Sequence, residues 1–239
     1  MKKIIKVHLW RECPLGKHLV RTHSFHVPPS KAHPTGMIAI RHEHCAENPS
    51  KKDVLSYDEI QTIAATHFSL LTGSPKASVL KEFKNADKYD GFIRGWVCYW
   101  NEIFKPKEPL DPNLVKALIA TESGFNPKVK DKTKKIHPHG LMQIINKTLN
   151  ILCDNKGELK DHLICLTEKN LLDPSANICA GVRWLFREKE IASEKLGRSA
   201  TWEEAVAAYK SYLDKIISGK NRDPEAMRKL REYYKKLQE

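Results

Sequence analysis

The chain has 239 residues, a formal net charge of +12 at pH 7 and a sequence pI near 9.3. That length holds one sizeable core plus a small appendage. No apolar run approaches the roughly 18 residues a membrane-spanning helix needs, so a soluble protein is expected. The basic opening of the chain is followed by Lys6, His8 and Arg11, which interrupt the apolar stretch before a signal-peptide core can form. No ordinary secretion signal is therefore expected. The charge favours a polyanionic partner, namely nucleic acid, anionic lipid or a cell wall carrying peptide carboxylates and teichoic acids, although Lys-rich helices that only confer solubility would carry it too.

Residues 1–53 hold seven of the eleven histidines, several prolines and short β-like stretches such as Met37-Ile38-Ala39-Ile40. They read as a small irregular or β-rich module. Cys13, His18, His23, His26, His42, His44 and Cys45 fall into two clusters, each with a sulfur and an imidazole. Four of Cys13, His18, His23, His44 and Cys45 would suffice for a tetrahedral structural zinc, a staple that so small a core needs. A Cys13–Cys45 disulfide formed after export, or a His-rich wall-binding surface, are the other readings. All six cysteines, Cys98, Cys153, Cys165 and Cys179 included, are expected reduced in a chain with no secretion signal, and these four sit in apolar, helix-like settings.

Residues 54–86 read as a connecting helix and linker. Asp58 can cap a helix in which Ile60, Ile63, Ala64, Phe68 and Leu71 recur at helical spacing, and Gly73-Ser74-Pro75 ends the segment. Residues 87–239 are helical almost throughout, so the fold class is mainly α. Asp111-Pro112 starts a helix that Gly124 stops, and Asp223-Pro224 starts the last one.

Within the helix begun at Asp111, Leu114, Leu118 and Glu122 are spaced i, i+4, i+8, so the carboxyl of Glu122 extends the stripe that faces the core. Partial desolvation disfavours a charged carboxylate and favours one that holds its proton, the state from which a general acid starts. Rotation toward water, or pairing with a neighbouring lysine, is the structural alternative at a last-turn position.

Ala117-Leu118-Ile119-Ala120-Thr121-Glu122-Ser123-Gly124-Phe125-Asn126-Pro127 and Gly140-Leu141-Met142-Gln143-Ile144 resemble the two signature blocks of the soluble-type lytic transglycosylase (SLT) domain, a lysozyme-like fold. Asp173-Pro174 with Asn177-Ile178, Gly181 and Trp184-Leu185 is similar to that family's third block, and Ala205 to Tyr209 to its closing helix. The resemblance covers about residues 90–215. It implies that Glu122 protonates the glycosidic oxygen between N-acetylmuramic acid and N-acetylglucosamine, then deprotonates the muramoyl C6 hydroxyl so that a 1,6-anhydro ring closes. It also implies substrate contacts from Ser123, Met142 and Gln143, a Tyr209 hydroxyl near the acid, and no metal or organic cofactor in the reaction. One carboxyl then serves both steps, unlike the paired acids of most glycosidases.

Three departures from the family pattern stand out. The loop between Pro127 and Gly140 is longer and Lys-rich, with Asp131 near the position of a substrate-contacting serine and His137 and His139 beside it. Ile145-Asn146 replaces Met-Pro, and Lys210 replaces the asparagine that follows the tyrosine. Asp131 as a second carboxylate would make the enzyme a hydrolytic muramidase, and a non-catalytic basic docking protein is the more distant alternative. Peptidoglycan glycan strands are the expected partner and nucleic acid is not. The missing signal points to synthesis in the cytoplasm and action on the cell wall, in the periplasm or envelope, after lysis or export by a phage, secretion or conjugation apparatus.

Overall fold

In the computed structural model, residues 10–129, 138–221 and 223–239 are described. Six short strands and eight α-helices follow one another along these segments, the strands in two-stranded sheets. Near the N-terminus, β1 (Lys17–Val20) pairs antiparallel with β4 (His44–Glu47), and β2 (His23–Val27) with β3 (Met37–Arg41). The third sheet joins distant parts of the chain. There β5 (Val54–Ser56) runs parallel to β6 (Leu163–Cys165).

The zinc arrangement expected from Cys13, His18, His23, His44 and Cys45 is not what the structure builds. Cys13 and Cys45 form a disulfide, which takes both sulfurs out of the thiolate form a metal needs. The histidines turn to separate partners: the Nδ1 atoms of His18, His23 and His44 lie 2.9 Å from the Asn48 side chain and the carbonyls of Arg21 and His42. Among the described residues no group of three or more His, Cys, Asp or Glu side chains could hold a metal ion. Cys153 and Cys165 form a second disulfide, so the expectation of six reduced thiols is corrected to two, Cys98 and Cys179.

Helix α1 (Tyr57–His67) is capped two residues ahead of the expected Asp58, because Ser56 accepts from the Glu59 amide while Glu59 reaches back to the Ser56 amide. Arg11 ties the start of the chain to this region through Asp53, Glu59 (2.5 Å) and the Lys17 carbonyl. The core is built around α2 (Asp90–Phe104). Trp96, Tyr99 and Trp100 are fully buried, and the two indoles donate to Ser175 and to the Cys179 carbonyl of α5 (Pro174–Leu196) at 3.0 Å each. Asp173 caps α5 through the Ala176 amide.

Helix α3 (Pro112–Ser123) starts where expected, on an Asp111 side chain that accepts from the Asn113 amide. It is fastened by a fully buried lysine: the Lys116 ammonium donates to Asp87 and Asp90 at 2.9 Å and to the Lys76 carbonyl at 3.0 Å, using all three of its donors. Burial pushes the Asp90 carboxyl up to about 6 even against this ion pair. Four helices complete the fold: α4 (Asn146–Cys153), α6 (Trp202–Tyr209), α7 (Leu213–Ile217) and α8 (Glu225–Gln238), with α6 packed on α5 and α8 on α3. Helix α8 begins at Glu225, one position later than the Asp223-Pro224 start expected, with Pro224 rather than Asp223 in the cap position. Among the described residues no helix is long and apolar enough to cross a membrane.

Candidate active site

Gly124 ends α3 in the left-handed region at φ +55°, and Phe125 follows at φ +61°. A non-glycine residue bears that conformation only where its surroundings hold it. Here the Phe125 ring is fully buried and meets Phe83 edge to face. The sharp turn leaves Glu122 in the last turn of the helix, its side chain 18% exposed, while Leu114 and Leu118 point into the core. Ser123, expected at the substrate, is buried, with its hydroxyl directed to the Ile119 carbonyl.

The second block folds into a turn closed by a β-bridge, with the His139 amide donating to the Ile144 carbonyl at 2.8 Å and the reverse bond at 3.0 Å. Asn177 of α5 grips this turn. Its side chain accepts from the Met142 amide at 2.8 Å and donates to the His139 carbonyl at 3.0 Å. On the other side the Tyr209 hydroxyl donates to the Met142 carbonyl at 2.6 Å. The Met142 peptide is thus held from both ends.

Close packing explains the glycines of these blocks. A Cβ at Gly140, whose φ is +72°, would lie 2.2 Å from the Asn177 side-chain nitrogen, and one at Gly181 would lie 2.3 Å from the Met142 sulfur. The Met142 side chain is consequently fully buried against α5. Gln143 sits in the left-handed region at φ +52°, and its side-chain amide donates back to the Gly140 carbonyl at 2.7 Å. Gln143 and Tyr209 line a cleft of about 450 Å³ with Lys147, Trp184, Glu188 and Ser211. A larger hollow, about 600 Å³, lies between residues 10–21 and α1, away from these blocks.

The Tyr209 hydroxyl, expected beside the acid, is committed to the Met142 carbonyl, yet the residue still feels Glu122. Burial foremost, then the charges of Glu122 and Glu188, push its hydroxyl well above the ordinary tyrosine value. Glu188 was not singled out from the sequence. Burial raises its carboxyl above the usual range, against the opposing hydrogen bond with Trp184. Lys210, immediately after α6, places its ammonium 2.5 Å from Glu122 Oε1 and 3.2 Å from the Thr121 hydroxyl. Among the described residues it is the one hydrogen-bond partner of the Glu122 side chain. Asp131 and His137 lie outside the described residues, and His139 contacts the Asn146 side chain at 3.1 Å.

Helices packed around α2, with the Glu122-bearing end of α3 near a turn whose Gln143 lines a cleft, make a helical domain of the lysozyme-like type. A family model described as the transglycosylase SLT domain matches residues 100–230, more than half of the chain, and the chain belongs to that family. Membership carries peptidoglycan-lytic activity of the transglycosylase and lysozyme kind. No curated protein matches the chain.

Proposed function

We propose that the protein is a peptidoglycan lytic transglycosylase that cleaves the bond between N-acetylmuramic acid and N-acetylglucosamine and leaves 1,6-anhydro-muramoyl ends. The observation that carries the reading is the position of Glu122: a carboxyl in the last turn of α3, largely shielded from water and adjoining the Gly140–Gln143 turn through Tyr209. In this reading Glu122 protonates the leaving oxygen and then, as carboxylate, removes the proton of the C6 hydroxyl, which attacks C1 and closes the anhydro ring. The substrate's own N-acetyl group stabilises the developing oxocarbenium ion. Gln143, lining the cleft, contacts the glycan, whereas Met142 and Ser123 act by shaping the walls from within. No metal or organic cofactor takes part. The wall is reached after lysis or through a phage, secretion or conjugation apparatus, and the basic surface retains the enzyme on an anionic polymer.

The test is mass spectrometry of fragments released from purified peptidoglycan by the wild-type protein and by Glu122→Gln. Anhydro-ended fragments from the wild type and none from the variant are expected. Reducing-end fragments one water heavier would instead identify a hydrolytic muramidase.

A further inference from the structure

Lys210 occupies a place the proposed mechanism does not use. Its side chain is 6% exposed, so the ammonium is a buried cation, and its acceptors are Glu122 Oε1 at 2.5 Å and the Thr121 hydroxyl at 3.2 Å. Thr121 is itself fixed, since its hydroxyl donates to the Leu118 carbonyl at 2.9 Å and so offers Lys210 a lone pair. The backbone at Lys210 is equally held. Its amide donates to the Val206 carbonyl at 3.0 Å, and the next two amides turn back to Ala208 and Ala207 at 2.8 and 2.7 Å. A lysine anchored at both ends grips one oxygen of a glutamate whose own side chain has three rotatable bonds.

We infer that Lys210 is a positioning residue for Glu122: it holds Oε1, so that Oε2 is presented to the glycan, and it stabilises the carboxylate formed when Glu122 gives up its proton. The inference rests on the proposed role of Glu122. Two physical effects support it. Fixing a reacting group near its attack geometry matters steeply, a misplacement of about 1 Å costing on the order of 100-fold in rate. A preorganised cation at the site where negative charge develops favours the transition state over the ground state. Residues 209 and 210 then divide the work, the tyrosine holding the Met142 turn and the lysine holding the acid, so that one helix end sets the distance between them.

The experiment measures kcat and KM for fragment release by wild type, Lys210→Met, Lys210→Arg and Lys210→Asn, together with thermal unfolding of Lys210→Met, Glu122→Gln and the double variant. With Lys210→Met, kcat should fall on the order of 100-fold with KM changed less than about threefold. Lys210→Arg should recover part of the loss. Lys210→Asn, which restores the family's residue but is too short to reach Oε1, should not. The unfolding cycle should show coupling, Lys210→Met shifting Tm less in the Glu122→Gln background than alone. Unchanged or increased kcat in folded Lys210→Met or Lys210→Asn, or additive Tm shifts, overturns the inference while leaving the role of Glu122 intact. A wild-type protein that releases no fragments overturns both.

Discussion

Replacing Asn177 by alanine isolates the clamp on the Gly140–Gln143 turn. Its side chain makes two buried hydrogen bonds, from the Met142 amide and to the His139 carbonyl, but their loss is unequal. The His139 carbonyl also accepts from the Ile144 amide and stays paired, so losing its second bond costs about 0.5–1.5 kcal/mol. The Met142 amide has no second acceptor among the described residues and is left unpaired in the core, costing about 1–3 kcal/mol. The total is about 1.5–4.5 kcal/mol, read as a lower urea midpoint at unchanged slope. Because Gln143 follows the released peptide directly, clearing of a peptidoglycan suspension should slow even under conditions where the variant is fully folded. A stability loss below about 1 kcal/mol with undiminished clearing would show that the turn is held by something other than Asn177.

Tyr209→Phe deletes the grip on the next peptide, the Met142 carbonyl, and should cost about 1–2 kcal/mol in urea unfolding, with slower clearing; full activity would make the hydroxyl dispensable. Gly181→Ala drives a methyl into Met142 and should destabilise by about 1–3 kcal/mol, which Met142→Ala in the same chain should partly relieve. The hydrogen bond from Arg198, helped by the Thr201 amide and opposed by partial burial, holds Glu204 down at about 2 from an ordinary 4.5. The unfolded chain therefore takes up this proton first, so the stability contribution is full above pH 4.5 and disappears as pH falls toward 2. Glu204→Gln should flatten that part of the stability curve, and a curve parallel to the wild type would refute the assignment. Alkylation of the unfolded, unreduced protein should label two cysteines, Cys98 and Cys179; labelling of six would mean that neither bridge forms.

What was legible in the sequence is what short-range chemistry decides. The cap Asp111 and the stop at Gly124 depend on a side chain or a missing Cβ acting within one turn, and each lies where its residue type required. The β-forming run Met37–Ile40 is a strand for the same reason. The cap of α1 was ambiguous because Ser56 and Asp58 are both competent, and the reciprocal bond with Glu59 selects the serine. Partner choice over long separations was not legible. Cys13, just ahead of β1, meets Cys45 of β4, and Cys153 of α4 meets Cys165 of β6; spacing alone left zinc and disulfide both open for the first pair and gave no sign of the second bridge. The contact of Lys210 with Glu122 joins residues 88 positions apart, and its only trace was a departure from the family pattern. Asn177 was visible as a motif residue, but its task became plain only with the turn folded against it.

The parallel pairing of Val54–Ser56 with Leu163–Cys165 bears on how this protein can be cut and rebuilt. Strand β6 finds its neighbour in a segment contributed from more than a hundred positions upstream, and Asp53 adds a side-chain contact with His162 and donates its amide to the Asp161 side chain. A catalytic fragment trimmed to residues 87–239 would expose that strand's edge and strand those polar groups in solvent or unpaired. Residues 53–56 are in this sense a piece of the scaffold rather than luggage on a handle, and shuffling them onto another enzyme, or removing them, means resurfacing the body they leave behind.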